Sequence, residues 1–147
     1  MTLSENTSIT SGNASGGFEA RIDTVTRRLH VRLWGLWSLE VAKSFVAAVD
    51  KLGRELGQTP WTSLVDARKF TVQDPLLEAL REESLKLAAR LGCRKMATLV
   101  ESSVYALQFK RLASKGHVVN QTFPDLAAAR AWLAAEDRPS PTETRGR

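Results

Sequence analysis

The sequence predicts an α/β protein built on one mixed, mostly parallel sheet of five strands, with about four helices, in the order ββαβαβαβα. Three observations carry that prediction. The first two apolar segments alternate apolar with polar residues and are joined by a short polar turn, which makes an antiparallel hairpin. Beyond them, short apolar runs alternate with stretches whose apolar residues recur at helical spacing. Two of those runs, ending at Asp66 and Glu101, have too few polar residues for an exposed face and pass through a loop toward a helix. Repeated strand–loop–helix units of this kind form parallel sheets with right-handed crossovers.

Each element has its own justification. Residues 1–17 are rich in Ser, Thr, Asn and Gly, lack apolar periodicity and read as a disordered leader. Phe18–Asp23 and Leu29–Trp34 alternate at the strand period, with Leu29, Val31 and Leu33 on one face and Trp34 on the other; Gly35 ends the second. Ser38 is placed to cap a helix in which Val41, Ala42, Phe45, Val46, Val49, Leu52 and Leu56 share a face, and Gly57 stops it. Trp61–Asp66 is the third strand, followed by a polar loop from Ala67 to Gln73. Asp74 caps the next helix, Pro75 takes its first position, and Leu77, Leu80, Ser84, Leu87, Ala88 and Leu91 form its buried stripe. Lys95–Val100 is the fourth strand. A helix capped by Ser102 or Ser103 runs to about Lys115, His117–Asn120 is the fifth strand, and Asp125 caps a last helix with Leu126, Ala129, Trp132 and Leu133 inward. Residues 18–135 thus form the domain, and 136–147 a disordered Pro-rich tail.

Composition narrows the function classes. At 147 residues, with 43% apolar and 25% charged residues, the chain has the make-up of an ordinary globular domain. No apolar run approaches the roughly 18 residues of a membrane helix, and the N-terminal stretch lacks the apolar core of a signal peptide. The lone Cys93 can form neither an internal disulfide nor a cysteine zinc site, and a cytoplasmic address is expected. The net charge is +5. Residues 1–17 carry only Glu5 and residues 136–147 balance three acids against three arginines, so the middle holds +6. Its basic residues are scattered over turns and element ends rather than concentrated on one element with aromatic partners, so nucleic-acid binding is not expected.

Candidate chemistry gathers where strands end. In open α/β sheets, ligands and partners meet the surface beyond the carboxyl ends of the strands. That surface is predicted to hold Asp66, Ala67, Arg68, Lys69, Thr71, Glu101, Ser102 and Ser103. Asp66 and Glu101 have the residue types of an acid–base pair, but carboxylates so placed more often pair with neighbouring cations, here Arg68 or Lys69. Ser102 and Ser103 can offer free N–H groups to an anion, or simply cap their helix. His30 and His117 fall on different elements and suggest no shared metal site, and no cofactor is expected. Arg94 and Lys95 beside Cys93 can lower its thiol pKa, but a plain buried or turn cysteine is the simpler reading. Trp61 and Trp132 read as core. Trp34, Leu36 and Trp37 flank the entrance to the first helix and form a candidate apolar patch for a partner or lipid.

The opening hairpin FEARIDTVTRRLHVRLWG, the third strand TSLVDAR and the closing segment FPDLAAARAWL together resemble the STAS domain, and more closely its SpoIIAA-like branch. Phe123, Asp125, Ala129, Trp132 and Leu133 match that branch's pattern of Phe-x-Asp followed by Ala-x-x-Trp-Leu. The resemblance covers residues 18–135 and implies a regulatory, non-catalytic module that binds a protein: a kinase-like or sigma-factor-pathway partner, or a second copy as a homodimer. Signalling STAS domains carry a phosphorylatable Ser or Thr after the third strand, in an Asp-Ser-Ser-Gly context. Here that place reads Asp66-Ala67-Arg68-Lys69, and Thr71 lies farther down the loop, so the usual phosphorylation switch is not expected. The alternative is a carrier of a small anionic or lipid-like ligand, held between the first helix and the Trp34–Trp37 entrance.

Overall fold

A computed structural model describes residues 7–57, 59–71, 74–101, 107 and 118–135. Six strands form one sheet in sequential order: β1 (Ser8–Asn13), β2 (Gly16–Asp23), β3 (Arg28–Gly35), β4 (Trp61–Phe70), β5 (Cys93–Leu99) and β6 (Val119–Phe123). β1, β2 and β3 pair antiparallel; β3, β4, β5 and β6 pair parallel. The described helices are α1 (Leu39–Leu56), α2 (Pro75–Arg90) and α3 (Leu126–Ala134). Their caps follow the sequence: Ser38, Asp74 and Asp125 each accept a hydrogen bond from a first-turn N–H. Apart from Leu107, the predicted helix between Ser102 and Lys115 falls outside the described residues, as do His117 and residues 136–147.

The α/β class and the opening hairpin match the sequence expectation, but the sheet has six strands, not five. The added strand, β1, lies inside the stretch that reads as a disordered leader. Its ordering comes from backbone pairing, from Ser8 opposite Arg21 to Asn13 opposite Gly16, while most of its side chains face solvent and so show no apolar period. Close approach fixes the residues at its turn: a Cβ on Gly16 would lie 2.1 Å from the Leu36 carbonyl oxygen.

The sheet separates two apolar layers. On one face, Phe18, Ile22, Val31, Leu33, Trp61 and Val65 pack under α1 and α2. On the other, Leu64, Ala97, Leu99 and Phe123 pack under α3, which lies over β4, β5 and β6. α2 departs from its predicted stripe. Leu77, Arg81, Ser84, Leu85 and Ala88 are buried, whereas Leu80 and Leu87 are only half-buried. The Arg81 guanidinium stacks 4.9 Å from the Phe70 ring, which lets an arginine occupy an inward position.

Three strand ends also differ from the sequence reading. β4 does not stop at Asp66 but continues to Phe70, replacing most of the predicted loop. A one-residue bulge makes this possible: Arg32 faces Asp66 and Trp34 faces Lys69, so β4 advances three residues against two on β3, and Phe70 turns back into the core. β5 begins at Cys93, which pairs with Trp61. β6 lies later than His117–Asn120 because its register runs from Lys95 opposite Val119 to Leu99 opposite Phe123.

Candidate functional site

The carboxyl ends of β3 and β4 and the first turns of α1 and α2 meet at one rim. The Thr71 N–H donates to the Gly35 carbonyl (3.2 Å), tying the two strand ends together. Gly35 itself has φ 70°, a left-handed conformation that turns the chain toward α1. Lys69, Thr71 and Glu101 are exposed at strand ends, as the sequence predicts. Large apolar side chains are exposed here too: Leu36 at 59%, Leu39 at 44% and Leu76 at 66%. Leu36 and Leu76 flank a shallow hollow of about 290 Å³, also lined by Trp37, Asp74 and Leu77. Ser102 and Ser103 lie outside the described residues.

Asp66 and Arg68 are not rim residues. They lie mid-strand and point from β4 to the sheet face opposite α1 and α2, where Arg68 grips Asp66 through Nε (3.0 Å), Nη2 (2.8 Å) and its own N–H (3.1 Å). The bonds from the Arg68 guanidinium, assisted by its N–H, hold the Asp66 carboxyl below the usual carboxylate range against the opposing effect of burial. In the same pair the Arg68 guanidinium is raised, with Glu101 adding to the effect. Asp66 therefore stays ionised beside a fixed cation, without the upward shift a general acid needs. Ala67 is buried in β4 at 1% exposure, its methyl group in the core.

The tryptophans divide differently from the predicted patch. Trp37 is core, only 4% exposed, with ring centroids of Phe70, Phe45 and Phe18 at 4.9, 5.2 and 5.9 Å, and its Nε1 donates to the Gly17 carbonyl (2.9 Å). It packs into the core at the first helix, the place that the alternative reading gives to a small ligand. Trp34 stays half-buried on the opposite face, donating to the Asn13 carbonyl (2.8 Å) with the Arg32 guanidinium 4.6 Å above its ring. Beneath α1 and α2 a cavity of about 40 Å³ remains, lined by Leu29, Phe45, Trp61 and Met96 with Ser63 nearby. That is room for a water or two, far below the roughly 300 Å³ at which pockets for drug-sized ligands begin.

Neither Cys93 nor His30 is set up as a nucleophile or a metal ligand; His117 lies outside the described residues. Burial pushes the Cys93 thiol up to about 12, outweighing Arg94. His30 is pushed down to about 4 by burial and then by Arg21 and Arg28, with Asp23 opposing. Among the described residues no three His, Cys, Asp or Glu side chains are grouped to hold a metal ion, and no helix is long and apolar enough to cross a membrane. Arg21, which the sequence does not single out, and His30, which it sets aside as a metal ligand, share one groove with Arg130, Arg32, Asp66 and Arg68. A signal for the first two exists: the polar positions of both hairpin strands, Glu19, Arg21 and Asp23 against Arg28, His30 and Arg32, are all ionisable and fall on one face.

No protein-family model matches the chain, and no curated protein matches it by sequence. Among solved structures it is similar to an uncharacterized DUF3478-family protein with a SpoIIAA-like fold from Shewanella loihica PV-4, at TM-score 0.60 and 10% identity over 91% of this chain and 99% of that one. It is also similar to an anti-sigma factor antagonist from Mycobacterium paratuberculosis, at TM-score 0.50 and 9% identity over 92% and 100% of the two chains. At these identities the likeness is one of fold. The chain has the STAS-like, SpoIIAA-like fold.

Proposed function

We propose that the chain is a non-catalytic regulatory module that works in the cytoplasm by binding another protein at the rim formed by Leu36, Leu39, Lys69, Thr71, Leu76 and Glu101. The observation that carries this reading is the exposure of three leucines where β3 and β4 end and α1 and α2 begin, with Lys69 exposed near the end of β4 and Glu101 exposed after β5. Apolar surface rimmed by polar groups is the usual make-up of a docking face. The fold likeness to an anti-sigma factor antagonist supports a partner from a sigma-factor pathway, kinase-like or otherwise; a second copy of the chain is the other occupant. Alanine at position 67 has no hydroxyl to phosphorylate, so binding is not switched there.

The test measures mass by light scattering and native mass spectrometry, for the chain alone and mixed with the kinase-like regulators of its own genome. A complex or a dimer is expected, and the Leu36→Asp/Leu76→Asp double variant should remain a single chain with an unchanged circular dichroism spectrum. A co-purified small molecule in place of a protein would favour the carrier reading. Turnover lost on Asp66→Asn or Glu101→Gln would overturn the non-catalytic one.

A further inference from the structure

The half of the sheet that α3 leaves uncovered carries a groove of about 210 Å³, built by cross-strand register. Glu19 faces Arg32 and Arg21 faces His30 across β2 and β3; Arg32 stands beside Asp66 of β4, and Arg130 lines the groove from α3. Two of its four guanidiniums are neutralised, Arg32 by Glu19 at 3.4 Å and Arg68 by Asp66 at 2.8 Å. Among the described residues, Arg21 and Arg130 have no carboxylate within ion-pairing distance. Four guanidiniums against two carboxylates leave two uncompensated positive charges, above a floor that includes Leu64, Leu99 and Leu126. The Nε2 of His30 is buried in the same groove without a hydrogen-bond partner, 3.8 Å from the nearer Asp23 oxygen.

Uncompensated cations over an apolar floor set up a field that an anion relieves. Guanidinium forks match the oxygen spacing of tetrahedral oxyanions, and a buried imidazole nitrogen without a partner supplies one more polar contact. We propose that this groove binds a small oxyanion of the phosphate class, held by Arg21 and Arg130 with His30 as a further ligand. Its volume lies below the roughly 300 Å³ of pockets for drug-sized molecules, so the occupant is inorganic phosphate or a small phosphomonoester. This site lies on the sheet face away from α1 and α2 and does not depend on the rim reading.

The experiment titrates the full chain at pH 7 with inorganic phosphate and, separately, with O-phosphoserine, following the His30 ring by NMR and heat by calorimetry. Sodium chloride at matched ionic strength is the control, and a His117→Gln variant assigns the ring signals. A saturable His30 shift with either phosphate, not reproduced by chloride, is expected. Which compound binds more tightly tells a free ion from a monoester. Arg21→Gln and Arg130→Gln, both at exposed positions, should each weaken binding about tenfold. No saturable shift with either compound, or unchanged affinity in the Arg21→Gln/Arg130→Gln double variant, would overturn the proposal.

Discussion

Replacing Trp37 with alanine separates a core role from a docking role. The side chain is 4% exposed, sits among the rings of Phe18, Phe45 and Phe70, and satisfies the Gly17 carbonyl. Truncating a buried aromatic to alanine costs about 3–5 kcal/mol, from lost transfer energy and the void left behind. Three ring neighbours and an abandoned carbonyl put this site toward the upper half of that range, about 4 kcal/mol. Against a total stability of about 5–15 kcal/mol, the loss is large. At a slope of about 2 kcal/mol per molar urea, the unfolding midpoint falls by about 2 M. Urea titration followed by far-ultraviolet circular dichroism reads this without relying on tryptophan fluorescence. Trp37→Phe keeps a ring but not the Nε1 donor, and should cost about 1–2 kcal/mol. A Trp37→Ala unfolding free energy within about 0.5 kcal/mol of the parent would refute the core assignment, more so if partner binding fell instead.

Protonation of His30 is resisted by the fold, so its ordinary pKa of 6.5 in the unfolded chain exceeds the value of about 4 in the folded one. Between those values the unfolded state binds more protons, and stability falls as pH drops from 6.5 toward 4, by about 2 kcal/mol once solvent screening of the half-buried ring is allowed for. The groups facing His30 are Arg21 and Asp23 of β2, Arg28 of β3 and Arg130 of α3. His30→Asn should flatten that part of the stability–pH profile, and an unchanged slope would count against it. Gly92 has φ 117° and would bring a Cβ to 3.0 Å from the Trp61 Nε1. Gly92→Ala should therefore lower stability by about 1–3 kcal/mol in a thermal melt. Lys95 reaches from β5 to donate to the Trp132 carbonyl (2.8 Å) at the end of α3, with its ammonium 4.8 Å from the Trp132 ring. Lys95→Met should cost about 1–2 kcal/mol and speed amide exchange in α3 before the rest of the chain.

What could be read from the sequence follows from which forces leave a one-dimensional trace. Caps do, and Ser38, Asp74 and Asp125 all serve where the sequence places them. Apolar periodicity does, and it locates β2, β3 and α1. Backbone pairing leaves none, so β1 is hidden behind polar side chains. A bulge breaks the period of two, so Arg68 and Lys69 read as loop although they are strand. Helical spacing marks Leu80 and Leu87 on α2, yet Arg81 is the buried residue, with its guanidinium 4.9 Å from the Phe70 ring. Of the exposed rim leucines, Leu36 is legible as part of the apolar patch at the entrance to the first helix, whereas Leu39 and Leu76 are not, because exposure depends on what the fold fails to cover.

The bulge in β4 also decides how the two surfaces divide the charge. Without the extra residue, a strand with Val65 and Ala67 facing the core would turn Lys69 inward and Phe70 outward by simple alternation. The bulge returns Phe70 to the rings of Trp37 and Arg81's side of the sheet and leaves Lys69 exposed at the rim. Asp66 and Arg68, which precede it, keep the outward parity of Leu64 and close on each other. Because Arg68 holds Asp66 at three points, that carboxylate is not available to Arg21 or Arg130, and the groove keeps its surplus positive charge. Arg68→Met should free Asp66 to compete for the neighbouring guanidiniums. Phosphate binding should then weaken although Arg21, Arg130 and His30 are all intact, whereas Arg68→Met combined with Asp66→Asn should restore it. If both variants bound phosphate like the parent, the groove's charge balance would not be what attracts the anion.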